Sequence, residues 1–221
     1  MKFANIDGQR AEASPRARGV CQGCGEPTIA KCGRYVAWHW AHAPGTCCGD
    51  RWWEAETAWH RRWKDRFPTE WQEVPIFDDG LTECHIADVK TAAGLVIEFQ
   101  RSTIHPEEVD ERQRFYQRMI WVIDGSRNEF DRINFNNMRS SLGEQGLVDF
   151  AWHGRSKLFH RWHTQKPIFI DFGEGYGFWR ILRFDPVSGR GKAGIVNVDG
   201  FVALASSGTT DFDSAGGPAS V

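Results

Sequence analysis

Between Glu54 and Phe67 the apolar residues recur every fourth position. Trp59, Trp63 and Phe67 share one face, which predicts a helix over 54–67. Pro68 ends it. A strand is expected from Trp71 to Ile76, then a turn at Asp78-Asp79-Gly80. His85 to Lys90 and Gly94 to Gln100 read as paired strands, joined by a short turn near Ala92-Ala93-Gly94. His105-Pro106-Glu107-Glu108 opens a second helix, because proline suits the first turn and acids suit the positive end of the helix dipole. Its inner stripe continues through Val109, Arg112 or Gln113, and Tyr116, and Met119 to Ile123 then reads as a buried strand. This order predicts an α/β core, a mixed sheet flanked by helices, over 51–165. Residues 166–205 form a β-rich extension, with short glycine-broken strands from Ile168 to Leu204 that either extend the main sheet or form a small lobe. Residues 206–221, rich in Ser, Gly, Thr and Asp, are expected to be a mobile tail. No internal repeat appears.

Residues 1–50 show little periodicity, and here composition changes the picture. Five of the six cysteines fall between Cys21 and Cys48. A disulfide framework would spread them through a short secreted chain. Crowding behind a CxxC pair suggests a metal site instead. Zn²⁺ takes four thiolate or imidazole ligands, and a glycine-rich module with so little apolar material needs such a staple. The favoured four are Cys21, Cys24, His42 and Cys48, with His39 and Cys47 open as substitutes. Cys32 and Cys84 are expected to be small buried hydrophobes. A redox CxxC pair is the alternative, but it lacks a surrounding βαβ pattern. The aromatic side chains nearby (Tyr35, Trp38, Trp40, Trp52, Trp53) either stack on unpaired bases or fill the junction with the next domain, packing being favoured.

No apolar run approaches the roughly 20 residues of a membrane span. The first residues lack the apolar core of a signal peptide, so a cytoplasmic protein is expected. The formal net charge of −2 neither requires nor forbids a nucleic-acid partner, since binding needs only a local basic face.

The chemistry concentrates in Leu95-Val96-Ile97-Glu98-Phe99-Gln100. Leu95, Ile97 and Phe99 share one strand face, and Val96, Glu98 and Gln100 the other. A carboxylate in so apolar a strand is costly unless a cation pairs with it. Asp88 stands ten positions earlier, and a hairpin bringing it beside Glu98 would make an oxygen site suited to Mg²⁺ or Mn²⁺. Spacing alone equally allows Asp88 to start a turn and Glu98 to pair with lysine or arginine. On the first helix, Glu56, His60 and Lys64 are spaced to share a face.

From Cys21 to Asp124 the sequence resembles the competence protein CoiA-like nucleases, a branch of the PD-(D/E)XK superfamily. The resemblance rests on Cys21-Gln22-Gly23-Cys24, His39-Trp40-Ala41-His42, Glu56-Thr57-Ala58-Trp59-His60 with Lys64, Ala87-Asp88-Val89, Ile97-Glu98-Phe99-Gln100, Glu111-Arg112 with Phe115-Tyr116, and Trp121-Val122. It implies a restriction-endonuclease-like fold that hydrolyses DNA, with Asp88 and Glu98 holding Mg²⁺ or Mn²⁺. Gln100 stands where many members carry lysine, so it would orient the attacking water but not deprotonate it. Glu56 would help hold metal or order the site, and His60 would contact phosphate or water. Lys64, Arg101 and Arg112 are candidates for the nucleic-acid backbone. Two alternatives stand beside an active nuclease: a non-catalytic nucleic-acid-binding protein of the same fold, and a zinc-stabilised interaction module whose acids merely pair with arginines.

Overall fold

A computed structural model describes residues 1–212 except 47, 49, 53, 79, 81, 82, 144, 153–157 and 163–165. The expectations for Cys47, Trp53, Asp79 and most of the tail therefore lie outside the described residues. The chain divides into two compact units, Met1–Lys90 and Thr91–Val221. That division falls inside the stretch 51–165 read above as one core. The class is mixed α/β, with four α-helices among the described residues.

In the first unit a five-stranded antiparallel sheet, ordered β2-β1-β3-β4-β5, is built from β1 (Phe3–Ile6), β2 (Gln9–Glu12), β3 (Arg18–Val20), β4 (Pro27–Lys31) and β5 (His39–His42). Asp7 and Gly8 join β1 to β2, both at positive φ (51° and 78°). A two-residue hairpin needs that backbone, and Asp-Gly supplies it. The core beneath is small: Met1, Ala4, Ala13, Cys21 and Trp40 are buried together. The first helix, α1 (Ala58–Lys64), is shorter than the 54–67 expected. Thr57 caps it by accepting a hydrogen bond from the His60 amide at 3.3 Å, so Glu56 lies in the extended lead-in and not on the helix. β6 (Gln72–Phe77) and β7 (Cys84–Lys90) follow as an antiparallel pair.

The second unit opens with the expected turn, in which the Gly94 amide donates to Thr91 and Gly94 takes a φ of 78°. Then come β8 (Val96–Gln100), α2 (Pro106–Tyr116), β9 (Met119–Asp124), α3 (Glu129–Met138), β10 (Leu147–Ala151), β11 (Ile168–Asp171), β12 (Phe178–Asp185), β13 (Arg190–Ile195) and α4 (Val198–Ser206). Across this unit the strands run β8-β9-β11-β12-β13-β10. β8, β9 and β11 are parallel and the remainder antiparallel, so the C-terminal strands extend the main sheet.

Ile170 pairs with Trp179 and Asp171 with Phe178, so Phe178 and Trp179 leave β12 on opposite faces. Phe135 of α3 meets Trp179 edge-on at 5.4 Å, whereas Phe201 of α4 packs on Phe169 and Phe178 at 4.7 and 5.1 Å. Helices therefore cover both faces. Arg112 of α2 lies over Trp121 at 5.8 Å; because Trp121 is in register with Ile168, α2 shares the face of α3. The expectation of strands up to Leu204 is corrected by α4. Asn197 caps that helix by accepting from the Gly200 amide at 2.9 Å, and the four-residue spacing of Phe201 and Ala205 buries one helical stripe.

Candidate metal centre and carboxylate cluster

Cys21 and Cys24 sit in a knuckle between β3 and β4. The Gly25 amide closes the loop onto the Cys21 carbonyl at 3.0 Å, and Gly25 turns the chain at a φ of 73°. His42 ends β5, and Cys48 follows in the next loop. One ligand atom from each of Cys21, Cys24, His42 and Cys48 lies within 4.8 Å of all the others, and Cys24 Sγ is 3.3 Å from His42 Nε2. Tetrahedral zinc with bonds near 2.3 Å separates its ligands by roughly 3.7 Å, so the donor set fits in both chemistry and size. Burial raises the Cys21 thiol pKa, and it pushes Cys48 up to about 12 with Cys24 and Cys21 crowding it. Three thiols this close resist ionising together until a cation compensates them.

This is the quartet favoured by the sequence. His39 is not in it; its Nδ1 lies 2.8 Å from the Ala37 carbonyl. Cys32 packs against the small core, and burial raises Cys84 to about 11, keeping it a thiol. Just beyond Cys48, Asp50 is held by the amides of Trp52 and Ile86 and by His85 at 2.9 Å. Trp52 stacks on His85 with centroids 3.3 Å apart, and Trp40 is fully buried; both are packing residues.

The second cluster forms around Lys64, which is nearly inaccessible and therefore unavailable to a nucleic-acid backbone. Its Nζ lies 2.7 Å from Glu56, 2.8 Å from Glu73 and 3.4 Å from Asp88. Burial alone would lower the Lys64 pKa, but the three acids raise it well above the ordinary lysine value. Burial likewise pushes Glu73 up, yet the Lys64 ammonium, the N-terminal ammonium and the Lys2 amide hold it down at about 2. Glu73 escapes sequence reading. Its carboxylate also accepts from the Phe3 amide at 3.0 Å, and its φ of 48° turns it inward from β6; neither has a signal in residue type. His60 is engaged elsewhere, with Thr57 Oγ1 at 2.8 Å and Glu54 at 3.3 Å, so the helix-face partnership of Glu56 and His60 gives way to a Glu54–His60 pair.

In the second unit Glu98 is 4% exposed and accepts from Arg112 Nη1 at 2.9 Å. Arg112 also binds Glu108 at 2.6 Å and is itself buried, so it too turns away from any nucleic-acid backbone. Burial lowers its pKa, and Glu98 and Glu108 together more than restore it. Gln100 donates to the carbonyl and hydroxyl of Ser102 at 3.2 and 3.1 Å. Arg101 is half-exposed and pairs with Asp124 at 3.0 Å.

Asp88 and Glu98 are hard oxygen donors of the kind Mg²⁺ or Mn²⁺ takes. Each already faces a cation of the protein, Lys64 for one and Arg112 for the other. No family model, curated protein or solved structure matches the chain. No helix among the described residues is long and apolar enough to cross a membrane.

Proposed function

We propose that the protein is a metal-dependent nuclease of the restriction-endonuclease type, hydrolysing phosphodiester bonds in DNA, with a structural zinc in its N-terminal module. One observation carries this reading. Glu56 and Lys64 from one piece of the motif series and Asp88 from another converge within one unit. Unrelated surface charges have no reason to meet in that way. The mixed α/β class and the placement of Glu98 and Gln100 on a parallel strand agree with it. Mg²⁺ or Mn²⁺, when bound, supplies charge stabilisation and an activated water. Of the chain's own groups, Lys64 holds Glu56 and Asp88 in place, and Gln100, braced by Ser102, can orient a water but cannot take its proton. The cytoplasm is the proposed compartment, because thiols acting as zinc ligands must stay reduced.

A second reading has its own observation. The Arg112 and Lys64 pairings compensate the acids without any metal, as they would in a nucleic-acid-binding protein that no longer cleaves. The purified zinc-loaded chain should be incubated with labelled single- and double-stranded DNA, with Mg²⁺, with Mn²⁺ and with neither. Cleavage that needs the added metal and disappears in Asp88→Ala and Glu98→Ala supports the nuclease. Binding without cleavage in every metal supports the second reading. Chelators are unsuitable as the metal-free control, since they also take the zinc.

A further inference from the structure

Alternation along β10, β13 and β12 sorts their side chains onto two faces. Val148, Phe150, Gly191, Ala193 and Trp179 are buried on the face carrying α3. Beyond the end of β12 that α4 covers at Phe178, the opposite face carries exposed and half-buried side chains among the described residues. It carries Asp149, Lys192 and Arg183 in one cross-strand row and Ala151, Arg190 and Asp185 in the next. A register shift between Ile181 and Arg183 inserts one extra residue in β12. It turns Arg183 onto the same face as Arg180, whereas regular alternation would put the two on opposite faces.

The side chains of Arg183, Arg190 and Lys192 make no hydrogen bond or ion pair among the described residues, and both arginines are exposed. Asp185, the acid across from Arg190, is turned into its own hairpin. It accepts from the Val187 amide at 3.0 Å and from the Ser188 amide and hydroxyl at 3.3 and 2.6 Å. The acid best placed to neutralise Arg190 is thus held away from it. Asp149 is left opposite Lys192, against a patch that also holds Arg180, Arg183 and Arg190.

We propose that this charged stretch of β10, β13 and β12, beyond the part that α4 covers, is a docking surface for the phosphodiester backbone of nucleic acid. Cations two residues apart on a strand stand about 6.7 Å apart, and neighbouring strands about 4.8 Å. The patch is therefore a fixed array set against a polymer with one negative charge per ~3.4 Å along each strand. Guanidinium forks match phosphate oxygens in two-pronged fashion. These rows carry no aromatic side chain for base stacking, so recognition is of charge and not of sequence. None of these residues belongs to the proposed cleavage machinery.

The test is fluorescence anisotropy of labelled duplex DNA over a salt series, without added Mg²⁺ or Mn²⁺, comparing the natural chain with an Arg183→Gln, Arg190→Gln, Lys192→Gln triple variant. The variant should bind more weakly, and its slope of log affinity against log salt should fall by about 2 to 3, near 0.9 per lost phosphate contact. Unchanged circular dichroism excludes misfolding of the variant. An unchanged slope overturns the proposal, as does equal competition by polyglutamate or by phosphatidylserine vesicles. Because no catalytic metal is present, a chain that never cleaves can still pass this test, and an active nuclease can fail it.

Discussion

Glu98 and Arg112 illustrate how much a single side chain can matter in a buried strand. Both are almost inaccessible and lie 2.9 Å apart. Arg112→Ala would remove the guanidinium from a buried carboxylate, and breaking a buried pair in this way costs about 3–5 kcal/mol. Urea unfolding should show that loss, and a change below about 1 kcal/mol would mean that this pair contributes little to the fold. Glu73 sets a pH dependence of definite sign. Its folded pKa is about 2, against an ordinary 4.5. Between those values the unfolded chain binds the proton and the folded chain does not, so stability is complete above pH 4.5 and drains away as the pH falls towards 2. The change is roughly 3 kcal/mol if the whole shift is expressed. Denaturant titrations across that window should show it, and Glu73→Gln should flatten it. The Cys21, Cys24, His42 and Cys48 quartet was legible because thiols and imidazoles crowded into a short glycine-rich stretch have few other uses. Glu73 was not legible, since its role depends on a backbone twist and on amides about seventy residues away.

Elements were legible where one period dominated. The opening of α2 at Pro106 with two acids, and the apolar run of β9, stand close to their expected bounds. The helix over 54–67 was overextended because tryptophan spacing says nothing about where a cap intervenes, and Thr57 intervenes. The β1–β2 hairpin had a signal in Asp7-Gly8, but its flanking strands are four residues each and of mixed polarity, too short for alternation to stand out. The knuckle between β3 and β4 and the end of β5 make a prediction of their own. Elemental analysis should find one zinc per chain, retained in Cys32→Ser and Cys84→Ala and lost in Cys24→Ser and His42→Ala. Zinc retained in Cys24→Ser would exclude this quartet.

At the scale of the whole molecule the two units differ in what holds them together. The five-stranded sheet of the first rests on a core of a few small residues, Met1 and Trp40. The second has helices on both sheet faces and a chain of ring contacts through Phe135, Phe150, Phe159 and Phe172. Zinc removal should therefore act unequally. Hydrogen exchange after chelation should speed up amides in β1 to β5 while those in β8, β9 and β11 keep their protection. Uniform loss of protection would show that the metal supports both units.

The guanidinium–carboxylate couple between α2 and β8 has one more consequence. Exchanging both partners together for hydrocarbon of similar volume removes the desolvation penalty along with the attraction, and such exchanges are commonly neutral or even stabilising. A Glu98→Leu, Arg112→Met chain should thus fold at least as firmly as its parent. Under the proposed nuclease reading it would be an intact scaffold without one of the two metal-facing acids, in which any lost cleavage reports on the reaction alone.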